Sequence, residues 1–429
     1  MQELLLPPFT RDTREDFEEK HLAAYAVRSK DTTRLYTNSY VKCDYRTEFQ
    51  RDRDRIIHSK AFRRLMYKTQ VYMTLERDHY RNRLSHTLEV CQVARSIATY
   101  IGLNVDLVEA IALGHDLGHT PFGHNVERVL NNILRNENGF KHNYQGLLIV
   151  DFLENKRGIT VHNGLNLTNH TRYGILNHTN DTDKVLPLYN NDKDNLISSD
   201  VYRSLEAELV NVVDTLTYLC HDLDDARRMD IFYEMESDNK KLFEDFLIGL
   251  EKIIATTTKV LEFNDRLNIA NIKNDIKLLP VDLILKALIV DLTKGTAAKI
   301  KENQSITSLS ELKIQKNIVK FDEFEKGNVF KEMKALLYKF VYCSPIAQQM
   351  DTKAKFIFES LYNSFKDNPK QLPYKTLEMY EKVINGEFKA IDRHDSGYEF
   401  TPERVICNYL AGMTDRYALE NHKRMFGAD

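Results

Sequence analysis

The sequence predicts an all-α protein. Apolar residues recur at the 3.6-residue helical period in several segments, alternating strand patterns are scarce, and 429 residues hold nine prolines, sixteen glycines and no tryptophan. The clearest period runs through Leu84, Leu88, Val93, Ile97 and Ile101, and Gly102 stops it. A second helix is expected from Asp106 through Leu113, ending near Gly114. A third spans about Asp200 to Ala226, with Leu205, Leu209, Val212, Leu216, Leu219 and Leu223 on one side. Later helices are expected over Pro280–Lys301, Val329–Tyr342 and Pro402–Phe426. Loop composition gathers at Gly158–Thr182, Tyr189–Ser199 and Lys366–Pro373. None reads as a long flexible linker and no internal repeat is found, so residues 1–429 are expected to form one fused unit.

Composition narrows the functional classes. Hydrophobic residues make up 42%, enough for a sizeable core, and charged residues make up 29% with both signs mixed along the chain. A net charge of −3 gives no bulk attraction to nucleic acid or anionic membrane, leaving only a local basic surface open. Cys43, Cys91, Cys220, Cys343 and Cys407 are scattered, odd in number and without a CxxC pair. That pattern argues against a disulfide framework and a thiolate metal site. The apolar run in MQELLLPPFTRD is too short for a signal peptide, and no stretch reaches the roughly 18 apolar residues of a membrane span. A soluble, cytoplasmic protein is expected.

Chemistry concentrates in the histidines. His115, His119 and His124 fall in one string, GHDLGHTPFGH, beside Asp116, and His142 follows. His115 and Asp116 are adjacent, so a straight helix sends them to different sides. At a helix end the chain turns and both can converge, with Gly114 and Gly118 leaving room. An imidazole beside a carboxylate suits Mn, Fe, Co, Ni or Zn, and Mg less well. His86 shares a helix face with Val90, Val93 and Ile97; it reads either as a core histidine or, with His115-Asp116 downstream, as a further ligand. Asp214 lies in the apolar string VNVVDTLTYLCHD, with Tyr218 and Asp222 on the same face at i+4 and i+8. A carboxylate there needs a cation, either a metal or a buried lysine or arginine.

The order His86, His115-Asp116, Asp214 is the H…HD…D signature of the HD superfamily of metal phosphohydrolases. RTEFQRDRDRIIHSKAFRRL, KTQVY, RNRLSHTLEV, GHDLGHTPFGH, KHNYQG, HDLDDA and AGMTDRYALE extend the likeness from about residue 46 to residue 420. Together they resemble the deoxyguanosine triphosphate triphosphohydrolase family. The resemblance implies an HD-domain helical core over about 40–230 and an additional C-terminal helical region over about 231–429, contributing to oligomerisation and regulatory sites. It implies cleavage of a deoxynucleoside triphosphate (dNTP) at the α-phosphate, releasing deoxynucleoside and intact triphosphate.

The same resemblance implies roles. His86, His115, Asp116 and Asp214 would hold a divalent ion, with Mn or Mg favoured for activity. The 5′-oxygen is a poor leaving group, so an acid must protonate it. His124, with Glu127 three residues on, is the candidate, as acid or as the group orienting the attacking water. His119 and His142 resemble positions that contact phosphate. Arg83, three residues before His86 and on the same helix face, resembles the arginine that grips the α-phosphate; the alternative is a solvated arginine. Tyr218 resembles the ring under the deoxyribose, and Gln70 and Asp222 the groups reading the 3′-hydroxyl. The chain departs from some relatives in carrying Thr215 after the metal aspartate, where they have lysine or glutamate. The basic run Arg46–Lys68 is one source of a replacement for holding the triphosphate tail, although Glu48, Asp52 and Asp54 make a solvated ion-paired face equally consistent. Relatives form tetramers or hexamers, several activated by nucleotides bound between subunits. The 22 tyrosines and 21 phenylalanines are a weak cue to interfaces.

Two other readings compete. One is an HD phosphohydrolase acting on another phosphoester, which would release no inorganic triphosphate. The other is a nucleotide sensor or nucleic-acid-binding protein with a vestigial site, against which the intact ligand set and the His124–Glu127 pair argue.

Overall fold

A computed structural model describes residues 9–36, 42–70, 81–154, 164–178, 202–228, 231–262, 269–303, 317–387 and 400–427. The loop expected at Tyr189–Ser199, both ends of Gly158–Thr182, the residues at Asp200, and the first eight residues lie outside them.

The described residues are helical throughout, with two isolated antiparallel bridges, Arg34 to Thr168 and Thr69 to Asn82, as their strand-like pairings. The first helices are α1 (Arg11–His21), α2 (Glu48–Ile57), α3 (Lys60–Arg64), α4 (Arg83–Ile101) and α5 (Val105–Gly114). They are followed by α6 (His124–Ile133), α7 (His142–Leu148), α8 (Asn169–Leu176) and α9 (Leu205–Arg228). Further helices include Lys240–Leu261, Val281–Glu302, Val329–Leu337, Pro345–Asp367, Tyr374–Ile384, Pro402–Ala411 and Asp415–Phe426. Among the described residues no helix is long and apolar enough to cross a membrane. All five cysteines are free.

Local signals explain the main boundaries. Asn82 caps α4 by accepting from the Ser85 N–H at 2.9 Å, and Gly102 ends the helix at φ +74°. Asn104 caps α5 in the same way. The buried face of α4 carries His86, Val90, Val93 and Ile97, as their spacing requires. Leu88 does not join it: it is 52% exposed, because position 88 falls on the opposite side from 90 and 97. Val212 is half-buried, whereas the other five leucines expected on its stripe of α9 are buried.

Three further expectations need correction. The Asn/Gly/Thr-rich stretch contains a helix, α8, because Thr168 caps it and Arg172 meets the buried Asp151 carboxylate at 2.7 Å. The helix expected over Pro402–Phe426 is two helices: the first ends at Ala411, and Thr414 starts the second by accepting from the Tyr417 N–H. The segment Val329–Tyr342 is α-helical to Leu337 and a π-turn from Tyr338 to Tyr342.

The packing forms two apolar cores that matter for the site. The larger is built on α2, α4, α5, α8 and α9 and continues into Lys240–Leu261 and Val281–Glu302. The second joins Phe122, Val126, Val129 and Leu130, at and after the start of α6, to the helices Pro345–Asp367 and Pro402–Ala411. Thus α6 is covered by the C-terminal helices, while α4, α5 and α9 belong to the main core.

The turn after α5 crosses between these cores against α7. A Cβ on Gly118 would overlap the His142 carbonyl oxygen and the Gly146 nitrogen, both backbone atoms that cannot swing aside. Gly118→Ala is therefore expected to cost at least about 1–3 kcal/mol, as overpacking does. The check is the thermal midpoint of the purified variant. An unchanged midpoint would show that α7 is not seated against this turn.

Candidate active site

The N-terminus of α4 supplies Arg83 and His86, both buried and one helical turn apart. At the end of α5 the chain leaves the helix, and His115 and Asp116 turn toward the same point. The His115 Nδ1 lies 2.7 Å from the Ala112 carbonyl oxygen and therefore carries the proton. Its Nε2 is buried, faces the carboxylates, and makes no close hydrogen bond among the described residues. The Asp116 Oδ1 lies 3.3 Å from that nitrogen. From α9, the Asp214 Oδ1 sits 2.9 Å from His86 Nε2 and 3.5 Å from His115 Nε2.

This donor set fits a divalent first-row ion. Ligand atoms of His86, His115 and Asp116 all lie within 4.8 Å of one another. Asp214 falls outside that mutual grouping, but its Oδ1 approaches both histidine nitrogens, so it completes a set of two nitrogens and two oxygens. A buried imidazole nitrogen set between two carboxylates is satisfied by a cation there, a metal ion or, without one, a proton. The Asp214 carboxylate is held well below the usual range: burial would raise it, but bonding to His115 and His86 outweighs that. Burial would likewise lower His115, but the Asp116 and Asp214 charges push it up to about 9. The expected alternative for Asp214, an ion pair with a buried lysine or arginine, is not what it meets; it faces two histidines. His86 is steadied from behind, with its Nδ1 3.3 Å from His221 Nδ1, and His221 Nε2 2.6 Å from Glu89.

A second cluster adjoins the first. Glu127 on α6 has Oε2 2.9 Å from His124 Nδ1 and Oε1 3.0 Å from His142 Nδ1, and it also accepts from the His142 N–H at 3.0 Å. His119 stacks on His142 with centroids 3.8 Å apart and lies 3.2 Å from Asp116 through Nε2. Asp116 therefore belongs to both clusters. The atoms of His119, His124, Glu127 and His142 are close enough to hold an ion. Yet rings stacked face to face cannot both direct in-plane lone pairs at one ion, so this cluster suits a hydrogen-bonded relay better. Glu127 is held far below the usual carboxylate range: burial opposes this, but the His142 charge and bonds to His124 and His142 outweigh it. His124 is the exposed member, with 66% of its side chain accessible. It borders a cavity of about 320 Å³ whose rim includes Arg128 and Lys141.

Arg83 is no solvated arginine. It is 2% exposed, donates to Asp116 Oδ2 at 3.1 Å, and its Nε has no partner. Gln70 Oε1 and Asp222 Oδ1 are likewise buried without hydrogen-bond partners among the described residues. Tyr342 donates to the other Asp222 oxygen. Tyr218 is half-buried on the same face of α9 as Asp214 and Asp222. Part of the basic run Arg46–Lys68 is committed elsewhere, whereas Arg63 and Arg64 are exposed and Lys68 donates to the His119 carbonyl. Arg46 pairs with Asp54 at 2.7 Å, Arg53 with Glu109 at 3.4 Å, and Arg55 donates to the Leu165 carbonyl. Glu48 and Asp52, expected on a solvated face, are buried around Arg34.

Sequence reasoning left several members unassigned. His178 on the turn after α8 has Nδ1 2.7 Å from the Ile175 carbonyl and Nε2 3.0 Å from His142 Nε2. Its ring meets that of His115 edge-on at 5.5 Å. Burial pushes it down to about 3. A lone histidine in GILNH carried no signal. His221, in the quoted HDLDDA block, and Tyr342, in the C-terminal region, carried none that tied them to His86 or Asp222.

Comparison with known proteins gives this geometry a family. Residues 83–219 match the HD domain and residues 324–424 match the phosphohydrolase-associated domain. A deoxyguanosinetriphosphate triphosphohydrolase-like protein of Ralstonia nicotianae is 37% identical over 411 residues, covering 96% of both chains. The chain belongs to the deoxyguanosinetriphosphate triphosphohydrolase-like family of HD-domain proteins. Similarly named members of that family from Rickettsia rickettsii and Caldanaerobacter subterraneus subsp. tengcongensis are each 36% identical, over 94% and 97% of this chain. This member of the dGTPase-like family is thus an HD phosphohydrolase homologue with a His/Asp metal site.

The Asp222 carboxyl yields a prediction. Burial raises it to about 8, against about 3.9 for a free aspartate. Between those values the unfolded chain has lost the proton and the folded chain keeps it, so stability falls as pH rises through the interval and levels off above about 8. Asp222→Asn removes this dependence. Its thermal midpoint relative to the wild type should therefore rise from pH 5 to pH 8.5. A gap that moves the other way would mean that the carboxyl is ionised in the fold.

Proposed function

We propose that the chain hydrolyses deoxynucleoside triphosphates at the α-phosphate, yielding deoxynucleoside and inorganic triphosphate. The observation that carries this reading is the junction of the His/Asp cluster with the Glu127–His124 pair, in a chain matched along almost its whole length by dGTPase-like relatives. His86, His115, Asp116 and Asp214 would hold the divalent ion, with Mn or Mg favoured. Such an ion, when bound, supplies Lewis-acid polarisation at the phosphoryl group and favours water as the nucleophile.

The chain's own groups would do the rest. Arg83, fixed by Asp116, turns its remaining donors toward the α-phosphate. His119 and His142, stacked together, hold phosphate oxygens in line for attack. Water bonds to the α-phosphorus as the bond to the 5′-oxygen breaks, His124 delivers the proton that the oxygen needs to leave, and the proton the water gives up to solvent balances the one taken back by His124. Glu127 orients His124. Tyr218 is assigned to pack under the deoxyribose, and the orphaned oxygens of Gln70 and Asp222 are matched to the 3′-hydroxyl. A site that packs at C2′ and bonds at C3′ discriminates against ribonucleotides by clash and by unpaired polar groups.

The reading extends to assembly. We assign residues 1–429 to a single cytoplasmic catalytic unit, with the core over about 40–230. The region over about 231–429 is assigned to a homo-oligomer, a tetramer or hexamer, with a dNTP effector between subunits. Exposed apolar side chains there, Tyr338, Phe356, Tyr374 and Ile384, offer surface for it.

Three outcomes are expected. Asp116→Ala should lose bound metal and triphosphate release from dGTP together, whereas His124→Ala should keep the metal and lose turnover by about 100-fold or more. Metal analysis and product chromatography read both; full metal occupancy in the first variant, or normal turnover in the second, contradicts the assignment. Tyr218→Ala should narrow the preference for dGTP over GTP, measured as the ratio of kcat/KM values, and a ratio unchanged from wild type removes the steric role. Sedimentation with and without a second dNTP should show an oligomer whose dGTP hydrolysis the other nucleotide stimulates. A monomer with additive kinetics would end that part of the proposal.

A further inference from the structure

The AGMTDRYALE block near the C-terminus has no part in the chemistry above, yet its aspartate reaches the catalytic loop. Asp415 opens the last helix, and both its oxygens are used within the protein. Oδ2 accepts from the Thr69 N–H at 2.8 Å and from the Thr69 hydroxyl. Oδ1 accepts from the Phe122 N–H at 3.1 Å. Asp415 is buried, and the residues it joins lie more than 290 positions away in sequence.

Each partner lies beside the start of a functional element. Thr69 pairs with Asn82 in an antiparallel bridge, and the Lys68 carbonyl accepts from the Arg83 N–H at 3.0 Å. That segment therefore sets the start of α4, which carries Arg83 and His86. Phe122 has φ +54°, a left-handed conformation that a phenylalanine does not adopt without support, and Gly123 follows at φ +62°. Those two residues set the start of α6, which carries His124 and Glu127. The two segments approach closely: a Cβ on Gly123 would stand 3.3 Å from an Arg83 guanidinium nitrogen and 3.4 Å from the Gln70 carbonyl. Lys68 adds a second tie, donating to the His119 carbonyl and, at 3.1 Å, to the Ala411 carbonyl.

We infer that Asp415 is a positioning residue that pins the starts of α4 and α6 to each other, so that the C-terminal region sets the distance between the phosphate-binding arginine and the catalytic histidine. The carboxylate reaches no substrate itself. It acts through Phe122 and Thr69, and only a two-oxygen acceptor satisfies both at once. An asparagine keeps the volume but replaces one acceptor with a donor, which faces another donor at either site. The inference rests on the assignment of Arg83 and His124 to dNTP hydrolysis.

The test compares Asp415→Asn with Thr414→Ala, which removes the neighbouring helix cap without touching the catalytic loop. With dGTP and Mn, Asp415→Asn should lose about 10- to 100-fold in kcat, the scale of a misplaced group. Its KM and metal content should stay within about twofold of wild type, since α4, with Arg83 and His86, stays seated in the main core and α6 is the element that shifts. Amide hydrogen exchange over residues 119–124 should be faster. Thr414→Ala should lower the melting temperature while leaving kcat and that exchange unchanged. Thr69→Val and Thr69→Ser give a second pair should Asp415→Asn not fold: the valine should follow the kcat loss, and the serine, which keeps the hydroxyl, should restore it. The inference is overturned if folded Asp415→Asn has wild-type kcat, or if it merely loses stability as Thr414→Ala does. It is also overturned if Thr69→Val matches Thr69→Ser. If the wild type releases no triphosphate from dGTP, the proposed activity fails instead, and the exchange comparison alone then judges the pin.

Discussion

The approach of the turn after α5 to the backbone of α7, at Gly118, is the constraint on which the site depends. No side chain fits between Gly118 and the His142 carbonyl. Because the two backbones touch there, Asp116 and His119 on one side reach His142 on the other. A chain forced even a methyl group further apart would leave two separate clusters, one able to hold a metal and one able to move a proton. The contact merges them, with Asp116 lying 3.3 Å from His115 and 3.2 Å from His119 while also receiving Arg83.

That merger brings an electrostatic problem with it. Burying carboxylates and imidazoles together is costly unless each finds a partner of suitable charge and direction. Here every carboxylate is shared: Asp116 among Arg83, His115 and His119, Asp214 between His86 and His115, and Glu127 between His124 and His142. Sharing fixes the rings more tightly than single pairs would, because rotating one imidazole breaks contacts with two carboxylates or with a carboxylate and a second ring. His221 and His178 extend this outward, each backing a histidine already in the site. Among the described residues, His115 Nε2, His119 Nδ1, Arg83 Nε, Gln70 Oε1 and Asp222 Oδ1 are site atoms without hydrogen-bond partners, and so are open to a ligand.

Legibility in the sequence follows the range of the interactions. His115 and Asp116 were readable because a helix end and two glycines act within a few residues. His86 was readable because its face of α4 is otherwise apolar. The same periodicity misplaced Leu88, since a leucine counts as apolar whichever way it points. The break at Gly412–Thr414 escaped because the helical period resumes after it, and α8 escaped because its polar residues bond inward to Asp151 and Thr32 rather than outward to water. The roles of His178, Tyr342 and Asp415 rest on contacts spanning 36 to 346 positions, which no local pattern encodes. In the basic run Arg46–Lys68 the ion pairing was readable where it is local, as at Arg46–Asp54, but not where the partner is distant, as with Glu109 and the Leu165 carbonyl.

The division of the apolar interior into two cores explains why the C-terminal region cannot be an appendage. Of the helices that carry the site, α4, α5 and α9 are buried by one another, but α6 shows its apolar side, Val126, Val129 and Leu130, to Phe358 and Leu361 of one C-terminal helix and to Ile406 and Leu410 of another. Without those helices α6 has no core to join, and a ten-residue helix is marginal alone in water. It is also tied at both ends from that side. Asp415 holds Phe122 before it, and Arg404 donates to the Gly139 carbonyl after it at 2.9 Å. His124 therefore stands on a helix whose existence and placement come from the last quarter of the chain, whereas His86, His115, Asp116 and Asp214 stand on or beside helices of the main core. Displacement of the last helices, Pro345–Asp367 and Pro402–Ala411, is then felt at His124 before it is felt at the His/Asp cluster.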